Sequence, residues 1–195
     1  KIASLVLDVT QDMNQPESIC LLDVGCGSGD LIIEVCERLA KKGRSFIPLG
    51  IEISKNLASS AADKVNRLGG KVLSANAIDG VSELKHDSVD VMIMSSFLEH
   101  ECQPLSLLQK LHPMLKLDGA IVLKVPNFAC WNRIIRGKKW CGFRYPDHVN
   151  YFTPRTLQRP LRRWPNCQSN PPIAGLLRSL PERLAPYRPI WRAGF

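Results

Sequence analysis

Short apolar runs alternate with amphipathic segments along most of this chain. Strands are predicted at Ile19–Val24, Phe46–Ile53, Lys71–Ala75, Val89–Ser95 and Ala120–Val125. Helical spacing of apolar residues predicts helices at 2–13, 30–42, 55–68 and 104–117, the last interrupted by Pro113. Apolar strands joined by helical crossovers form a mostly parallel sheet with helices on both faces. The sequence therefore predicts an α/β fold whose ligands bind at the carboxyl ends of the strands.

Length and composition are those of one globular domain. The 195 residues are 45% hydrophobic and 23% charged, which suits a chain that buries one core. Apolar runs reach only a few residues, whereas a membrane-spanning helix needs roughly 20. The seven cysteines include no Cys-x-x-Cys pair and no Cys/His cluster with zinc spacing. We therefore expect reduced thiols in a cytoplasmic protein, without a membrane span and without a metal site.

The net charge of +8 lies mostly in the C-terminal tail. Residues 158–195 contain seven arginines, one acidic residue and seven of the 14 prolines. Frequent prolines interrupt regular structure, so the tail is expected to be irregular, with one short helix near Ala174–Leu180. The sequence thus predicts a folded domain at 1–157 and a Pro/Arg-rich tail at 158–195. Because the folded part is nearly neutral, nucleic acid is not the expected partner.

Three glycines at alternate positions follow the first predicted strand, in the run Asp23-Val24-Gly25-Cys26-Gly27-Ser28-Gly29. Glycines let the backbone turn tightly and approach a ligand, and the next helix presents free amide groups there. Glu52 ends the second strand, where a carboxylate can accept hydrogen bonds from both hydroxyls of a ribose. A dinucleotide fingerprint would place its third glycine at Asp30. The pattern predicts a nucleoside cofactor; a plain turn and a solvated Glu52 are the alternatives.

These motifs resemble those of class I S-adenosylmethionine-dependent methyltransferases. Asn76 occupies the place of the family's aspartate that contacts the adenine amine, and its carbonyl can accept the same bond. Ser95–His100 and Met114–Ala120 resemble two further family segments. The resemblance implies a Rossmann-like fold, S-adenosylmethionine as cofactor and methyl transfer. The implied cofactor-binding residues are Asp23, Gly25, Cys26, Gly27, Gly29, Glu52, Ile53, Asn76, Ala77 and Ser95.

A later segment, Tyr145–Pro154, resembles a broad subgroup that includes relatives of the ubiquinone-biosynthesis O-methyltransferases. The segment is specific for this subgroup but not for a substrate. We expect a small-molecule acceptor that is methylated at oxygen. Family members close their sheet with two more strands, one of them antiparallel. The Pro/Arg-rich tail does not resemble those strands, so closing C-terminal strands are not predicted.

The segment after the fifth strand is rich in rings and cations. Residues 131–152 hold six of the 13 aromatic residues. Residues 133–155 contain six basic residues and one acidic residue, Asp147. We interpret the segment as a lid for an aromatic or anionic acceptor; a solvated basic loop pinned by buried rings is the alternative. Candidate acceptor contacts are Trp140, Tyr145, Asp147 and Tyr151.

Two histidines beside the expected site are candidate general bases. His148 is preferred and His100 comes second. A turn-stabilising role for His148 and a role at the start of the next helix for His100 are the alternatives.

Two rival functions also stay open. One is a non-catalytic or truncated cofactor-binding module, and the other is a nicotinamide-dependent dehydrogenase.

Overall fold

The computed structural model of the chain describes residues 1–11, 13, 17–161 and 173–175. Its strands form one sheet with the order β3-β2-β1-β4-β5-β6, and every neighbouring pair is parallel. The strands are β1 (Ile19–Val24), β2 (Phe46–Glu52), β3 (Lys71–Ser74), β4 (Val89–Ser95), β5 (Leu115–Lys124) and β6 (Ile173–Gly175). The helices are α1 (Ile2–Gln11), α2 (Asp30–Ala40), α3 (Lys55–Val65), α4 (Ala77–Ser82), α5 (Pro104–Leu111), α6 (Trp131–Arg136) and α7 (Pro154–Leu161).

Two hydrophobic cores lie on opposite faces of the sheet, because successive side chains of a strand point to opposite faces. Leu21 of β1 packs with the core formed by α1, α2 and the end of α3. Its neighbour Leu22 packs with the core formed by α4, α5 and Leu157 of α7. The central strand β4 is buried from Val89 to Met94. The predicted α/β fold with helices on both faces is confirmed.

The largest difference within the predicted elements falls at the helix expected over 104–117. Helix α5 ends at Leu111, and His112–Met114 form a single 3₁₀ turn. Pro113 has no amide hydrogen for a continuing helix, so the chain turns and enters β5 already at Leu115. Helix α4 was not predicted, because six residues are too few to show a helical period.

The C-terminal part departs from the prediction in two places. Helix α7 crosses the predicted boundary at residue 157, and Leu157 is 5% exposed within the core. Ile173–Gly175 pair in parallel with β5, so the helix expected from Ala174 is wrong for its first two residues. The open edge of β5 offers unpaired backbone groups to this apolar tripeptide. One short closing strand is therefore present, and the rest of the predicted tail lies outside the described residues.

The sheet brings β1 and β4 side by side although three helices and two strands separate them in the chain. The strand order reverses between these two neighbours, and ligands of open α/β sheets bind at such a reversal. None of the helices in the described ranges is long and apolar enough to cross a membrane.

Candidate functional site

The glycine loop between β1 and α2 holds three glycines with left-handed backbones. Gly25, Gly27 and Gly29 have φ of 74°, 56° and 81°. A Cβ on Gly25 would lie 2.3 Å from the Phe97 ring, and one on Gly29 would lie 3.2 Å from Ala61. A Cβ on Gly27 would meet nothing within 4 Å. Two glycines therefore permit close packing, whereas Gly27 borders open space that a ligand can fill.

Glu52 fastens this loop to the end of β2. One carboxylate oxygen accepts a hydrogen bond from the Gly27 amide at 2.9 Å, and the other accepts one from the Ser54 amide at 2.9 Å. Glu52 is only 8% exposed. Each carboxylate oxygen has a second lone pair, so Glu52 can hold the loop and still accept hydrogen bonds from a ligand.

Asp23 and Cys26 lie beneath the loop rather than on its surface. Burial, and then the Glu52 carboxylate, raise the pKa of Asp23 to about 7. The Cys26 thiol packs against Gly50. Burial, followed by Asp23 and Glu52, raises the pKa of this thiol to about 12. The thiol stays protonated at neutral pH and is no nucleophile, so Cys26 contributes its backbone to the loop.

The turn after β3 presents an acid that the sequence did not single out. Asn76 caps α4, because its side-chain oxygen accepts from the Asp79 amide at 3.0 Å. Its amide group donates to the Asp79 carboxylate at 2.6 Å. An Asn followed three residues later by an acid resembles a capping box, which is the sequence signal that could have found Asp79. Ala77 is buried, whereas the Ile53 side chain is 71% exposed after β2.

The glycine loop contacts the segment after β4 at the place where the strand order reverses. Ser95 ends β4, Ser96 has a left-handed φ of 56°, and the Phe97 ring packs on Gly25. Glu99 and His100 follow directly. The residues predicted from the glycine run and those predicted from Ser95–His100 therefore meet at one edge of the sheet.

We call residues 131–152, which follow β5, the insert. Its His148 lies against His100 at this edge of the sheet. The two ring centroids are 4.7 Å apart, with the rings edge to face. Nδ1 of His148 lies 2.8 Å from the Gly142 carbonyl, and Nδ1 of His100 lies 2.8 Å from the Asp147 carbonyl. A carbonyl only accepts hydrogen bonds, so each Nδ1 carries the hydrogen and each neutral ring keeps a lone pair on Nε2.

Glu99 completes a cluster that sequence reasoning missed. It is 1% exposed, and its Oε2 has no hydrogen-bond partner among the described residues. Burial raises the pKa of this carboxyl, although a hydrogen bond with the Glu99 backbone, followed by the charges of His100, His148 and Lys124, acts in the opposite direction. One ligand atom from each of Glu99, His100 and His148 lies within 4.8 Å of the others. We call these three residues the His/Glu cluster.

Backbone hydrogen bonds hold the insert on the segment after β4. The Val149 and Asn150 amides both donate to the Glu99 carbonyl at 3.0 Å. The Asn150 side chain donates to the Glu101 carbonyl at 2.6 Å. Asn150 was not predicted, and nothing in its local sequence shows that it bridges two distant segments.

The four candidate acceptor contacts fall into two groups. Trp140 and Tyr151 belong to an aromatic cluster with Phe128 and Phe143, and Trp140 is only 4% exposed. This pair packs the interior of the insert. Tyr145 is 90% exposed, and the exposed Asp147 carboxylate lies 3.8 Å from the Arg144 guanidinium. The structure brings Asp147 to His100 through its backbone carbonyl only.

Comparison with known families shows the family to which this chain belongs. The model of a methyltransferase domain family matches residues 1–163. The chain belongs to this methyltransferase domain family. It is an S-adenosylmethionine-dependent methyltransferase of class I, with S-adenosylmethionine as methyl donor. The matches give no support to the narrower ubiquinone-biosynthesis subgroup.

Solved structures share the fold of this methyltransferase at low sequence identity. An S-adenosylmethionine-dependent methyltransferase from Archaeoglobus fulgidus is 23% identical, with a TM-score of 0.55 over 82% of this chain and 67% of that one. The [4+2]-cyclase SpnF is 20% identical, with a TM-score of 0.56 over 82% of this chain and 56% of the cyclase. YcgJ from Bacillus subtilis is 17% identical, with a TM-score of 0.57 over 80% of this chain and 65% of that one. No curated protein matches.

The residues at the glycine loop suit the methyl donor. Gly27 borders open space, Glu52 keeps free lone pairs, and the exposed Ile53 side chain offers an apolar surface to a base ring. The donor carries a positive sulfonium, and the buried acids Asp23 and Glu52 lie under the loop that would hold it.

Proposed function

We propose that this methyltransferase transfers a methyl group to an oxygen of a small-molecule acceptor held between the glycine loop and the insert. The observation that supports this most directly is the position of His148. Its ring lies against His100, three residues after Phe97, which itself packs on Gly25 of the loop. A base and the cofactor loop therefore share one edge of the sheet, as methylation of a hydroxyl requires.

On the cofactor side, we assign the ribose hydroxyls to Glu52 and the adenine amine to the Asn76 turn. The Asn76 oxygen already caps α4, so the neighbouring Asp79 carboxylate is the stronger acceptor for that amine. Ile53 would cover one face of the ring, and the backbone of Gly25, Gly27 and Gly29 would approach the amino-acid end. Ala77 and Ser95 complete the wall at the ends of β3 and β4.

On the acceptor side, we assign the general base to His148. The Gly142 carbonyl fixes its tautomer, so Nε2 has the lone pair that takes a proton from a hydroxyl. The bound cofactor supplies an electrophilic methyl whose sulfonium loses its charge on transfer. The chain therefore mainly aligns the two reactants, and such alignment can contribute roughly 7–11 kcal/mol. His100 is the second candidate base, because the same argument fixes its tautomer.

We propose an acceptor that is aromatic or anionic. The short helix α6 exposes Trp131, Ile134 and Ile135, and the basic residues Arg133, Arg136, Lys138 and Lys139 lie on or next to it. An apolar surface bordered by cations suits a molecule that combines a ring or chain with a negative charge.

A specific observation keeps a second function open. The name of the structurally similar SpnF gives it as a [4+2]-cyclase, and a shared fold does not fix the reaction. The second candidate is therefore a domain that binds the cofactor without methyl transfer. A dehydrogenase is disfavoured, because Asp30 stands where its third glycine would be.

Labelled methyl transfer tests the proposal. The purified chain is incubated with methyl-labelled S-adenosylmethionine in three separate reactions, which contain a small-molecule extract, RNA or protein as acceptor. We expect label in the small-molecule fraction as an alkali-stable ether of a hydroxyl compound. Cofactor binding without label in any fraction would favour the non-transferring domain, and label in RNA or protein would contradict the small-molecule acceptor.

A further inference from the structure

The His/Glu cluster has the donor atoms of a metal site. In metal sites, a ligating histidine donates its other ring N–H to a carbonyl or carboxylate, which orients the ring. Both histidines do this here, His148 to Gly142 and His100 to Asp147. Their Nε2 atoms are thereby left with lone pairs. One nitrogen of each ring and one Glu99 carboxylate oxygen lie within 4.8 Å of one another.

Glu99 gives an independent reason to expect a ligand. A buried carboxylate oxygen without a hydrogen bond is costly, since neither water nor a donor replaces its hydration. Glu99 is 1% exposed, and its Oε2 has no partner among the described residues. The Glu99 carbonyl, in contrast, accepts two backbone hydrogen bonds. A cation between Glu99 and the two imidazoles would give this unpaired carboxylate oxygen a partner.

We propose that the His/Glu cluster binds one divalent transition-metal cation through Glu99 and the Nε2 atoms of His100 and His148. Mixed imidazole and carboxylate ligands suit Zn²⁺ and similar ions, and two histidines with one glutamate are a known set for zinc with an open position. Ligand atoms lie about 2.0–2.2 Å from zinc, so the present separation of up to 4.8 Å must shorten on binding. The exposed His100 is the member that can move.

The position of the cluster gives the cation a role at the acceptor. With a cation bound, the Nε2 lone pair of His148 would coordinate the cation and could not accept a proton. The cation itself would then lower the pKa of a coordinated acceptor hydroxyl. The cation would also link the insert to the segment after β4. The binding site is inferred from the side-chain geometry alone and does not rest on methyl transfer being the reaction.

Calorimetry with the metal alone tests the proposal. The untagged full chain is stripped with a chelator and titrated with Zn²⁺. We expect one equivalent to bind. Glu99→Gln and His148→Asn should each weaken binding by more than about 100-fold, because loss of a residue that only orients a metal ligand already weakens binding by up to about 100-fold. The Asn side chain can still donate to the Gly142 carbonyl, so His148→Asn removes the ligand atom and keeps the structural contact.

Matched variants and a second measurement exclude other metal sites. Glu101→Gln and His86→Asn change one carboxylate and one histidine outside the cluster and should bind like the wild type. Co²⁺ loading should show no thiolate absorption, although Cys102 and Cys141 are exposed. Absence of a saturable site, unchanged affinity in both cluster variants, or sulfur ligands would overturn the proposal. If the variants unfold, X-ray absorption of the zinc-loaded wild type decides between nitrogen/oxygen and sulfur ligands.

Discussion

The two sides of the site are built in different ways. The cofactor side is one continuous loop whose shape comes from backbone angles that only glycine adopts easily. Hydrogen bonds to the Ile51 carbonyl, the Glu52 carboxylate and the Lys64 ammonium connect it to β2 and α3. The acceptor side combines Glu99 and His100 with His148, which lies 48 residues beyond His100. Backbone bonds from Val149 and Asn150 hold those segments together. The first side is therefore encoded locally, whereas the second exists only once the insert has docked.

The largest expected effect separates turnover from cofactor binding. His148→Asn should reduce turnover on a confirmed acceptor by about 10²–10⁴, the usual value of general-base catalysis, and leave S-adenosylmethionine affinity unchanged. The inferred cofactor contacts all lie at or before Ser95, so the cofactor side should be insensitive to this change. Steady-state kinetics and calorimetry measure the two quantities.

His86→Asn is the control for this variant, since His86 lies outside the His/Glu cluster. Near-normal turnover in His148→Asn would make His148 a turn residue and leave His100 as the candidate base. An equal loss of cofactor affinity and turnover would contradict the division of the site into two sides.

The pH dependence of stability tests the cofactor side without any ligand. Asp23 has a pKa of about 7 in the folded chain, against 3.8 for a free carboxyl. Between these values the unfolded chain releases a proton that the folded chain keeps, so the free energy of unfolding falls as pH rises from 3.8 to about 7. Asp23→Asn should remove this fall and stabilise the protein above pH 7 by on the order of 1–4 kcal/mol.

Urea unfolding at pH 5 and pH 8 measures this difference. Asp118→Asn is the matched control, because Asp118 is exposed on β5 and should leave the pH dependence as in the wild type. If Asp23→Asn and the wild type lose stability equally between the two pH values, Asp23 is ionised in the folded chain and the proposed burial effect is wrong.

The same division explains what the sequence could predict. Strands β1 and β4 have the predicted bounds, because each is an apolar run that ends in a change of composition. The start of β5 was missed, since Leu115 continues the helical spacing of Leu108 and Leu111 beyond Pro113. Strand β6 was missed because a three-residue strand forms by pairing with β5 and has no pattern of its own.

The candidate site shows the same contrast. The glycine loop and Glu52 were predicted from neighbouring residues and meet in the structure through the Gly27 amide. No spacing rule could predict Glu99, because its significance comes from burial and from a missing hydrogen-bond partner. The role of Trp140 was also invisible in the sequence, since an aromatic residue in a basic loop can face either an acceptor or other rings.

A glycine pair measures how far the loop alone determines cofactor binding. Gly27 and Gly43 both have left-handed backbones, and a Cβ on either meets nothing within 4 Å. Gly27→Ala and Gly43→Ala should therefore cost similar stability, about 1–2 kcal/mol. We expect only Gly27→Ala to weaken S-adenosylmethionine binding, by tenfold or more, because its methyl group would occupy the space proposed for the cofactor. Equal cofactor affinity in the two variants would show that the cofactor does not occupy the space beside Gly27.

The smallest expected effect concerns the adenine amine. Asp79→Ala removes the proposed acceptor but keeps the Asp79 amide that Asn76 caps, so α4 should still begin at Ala77. Loss of one hydrogen bond should lower S-adenosylhomocysteine affinity by roughly two- to tenfold. The inosine analogue of this ligand has a carbonyl in place of the amine, so its affinity should not fall in the variant. An equal fall for both ligands would show that Asp79 acts through the shape of the turn, and the amine would then pair with Asn76 or with the backbone.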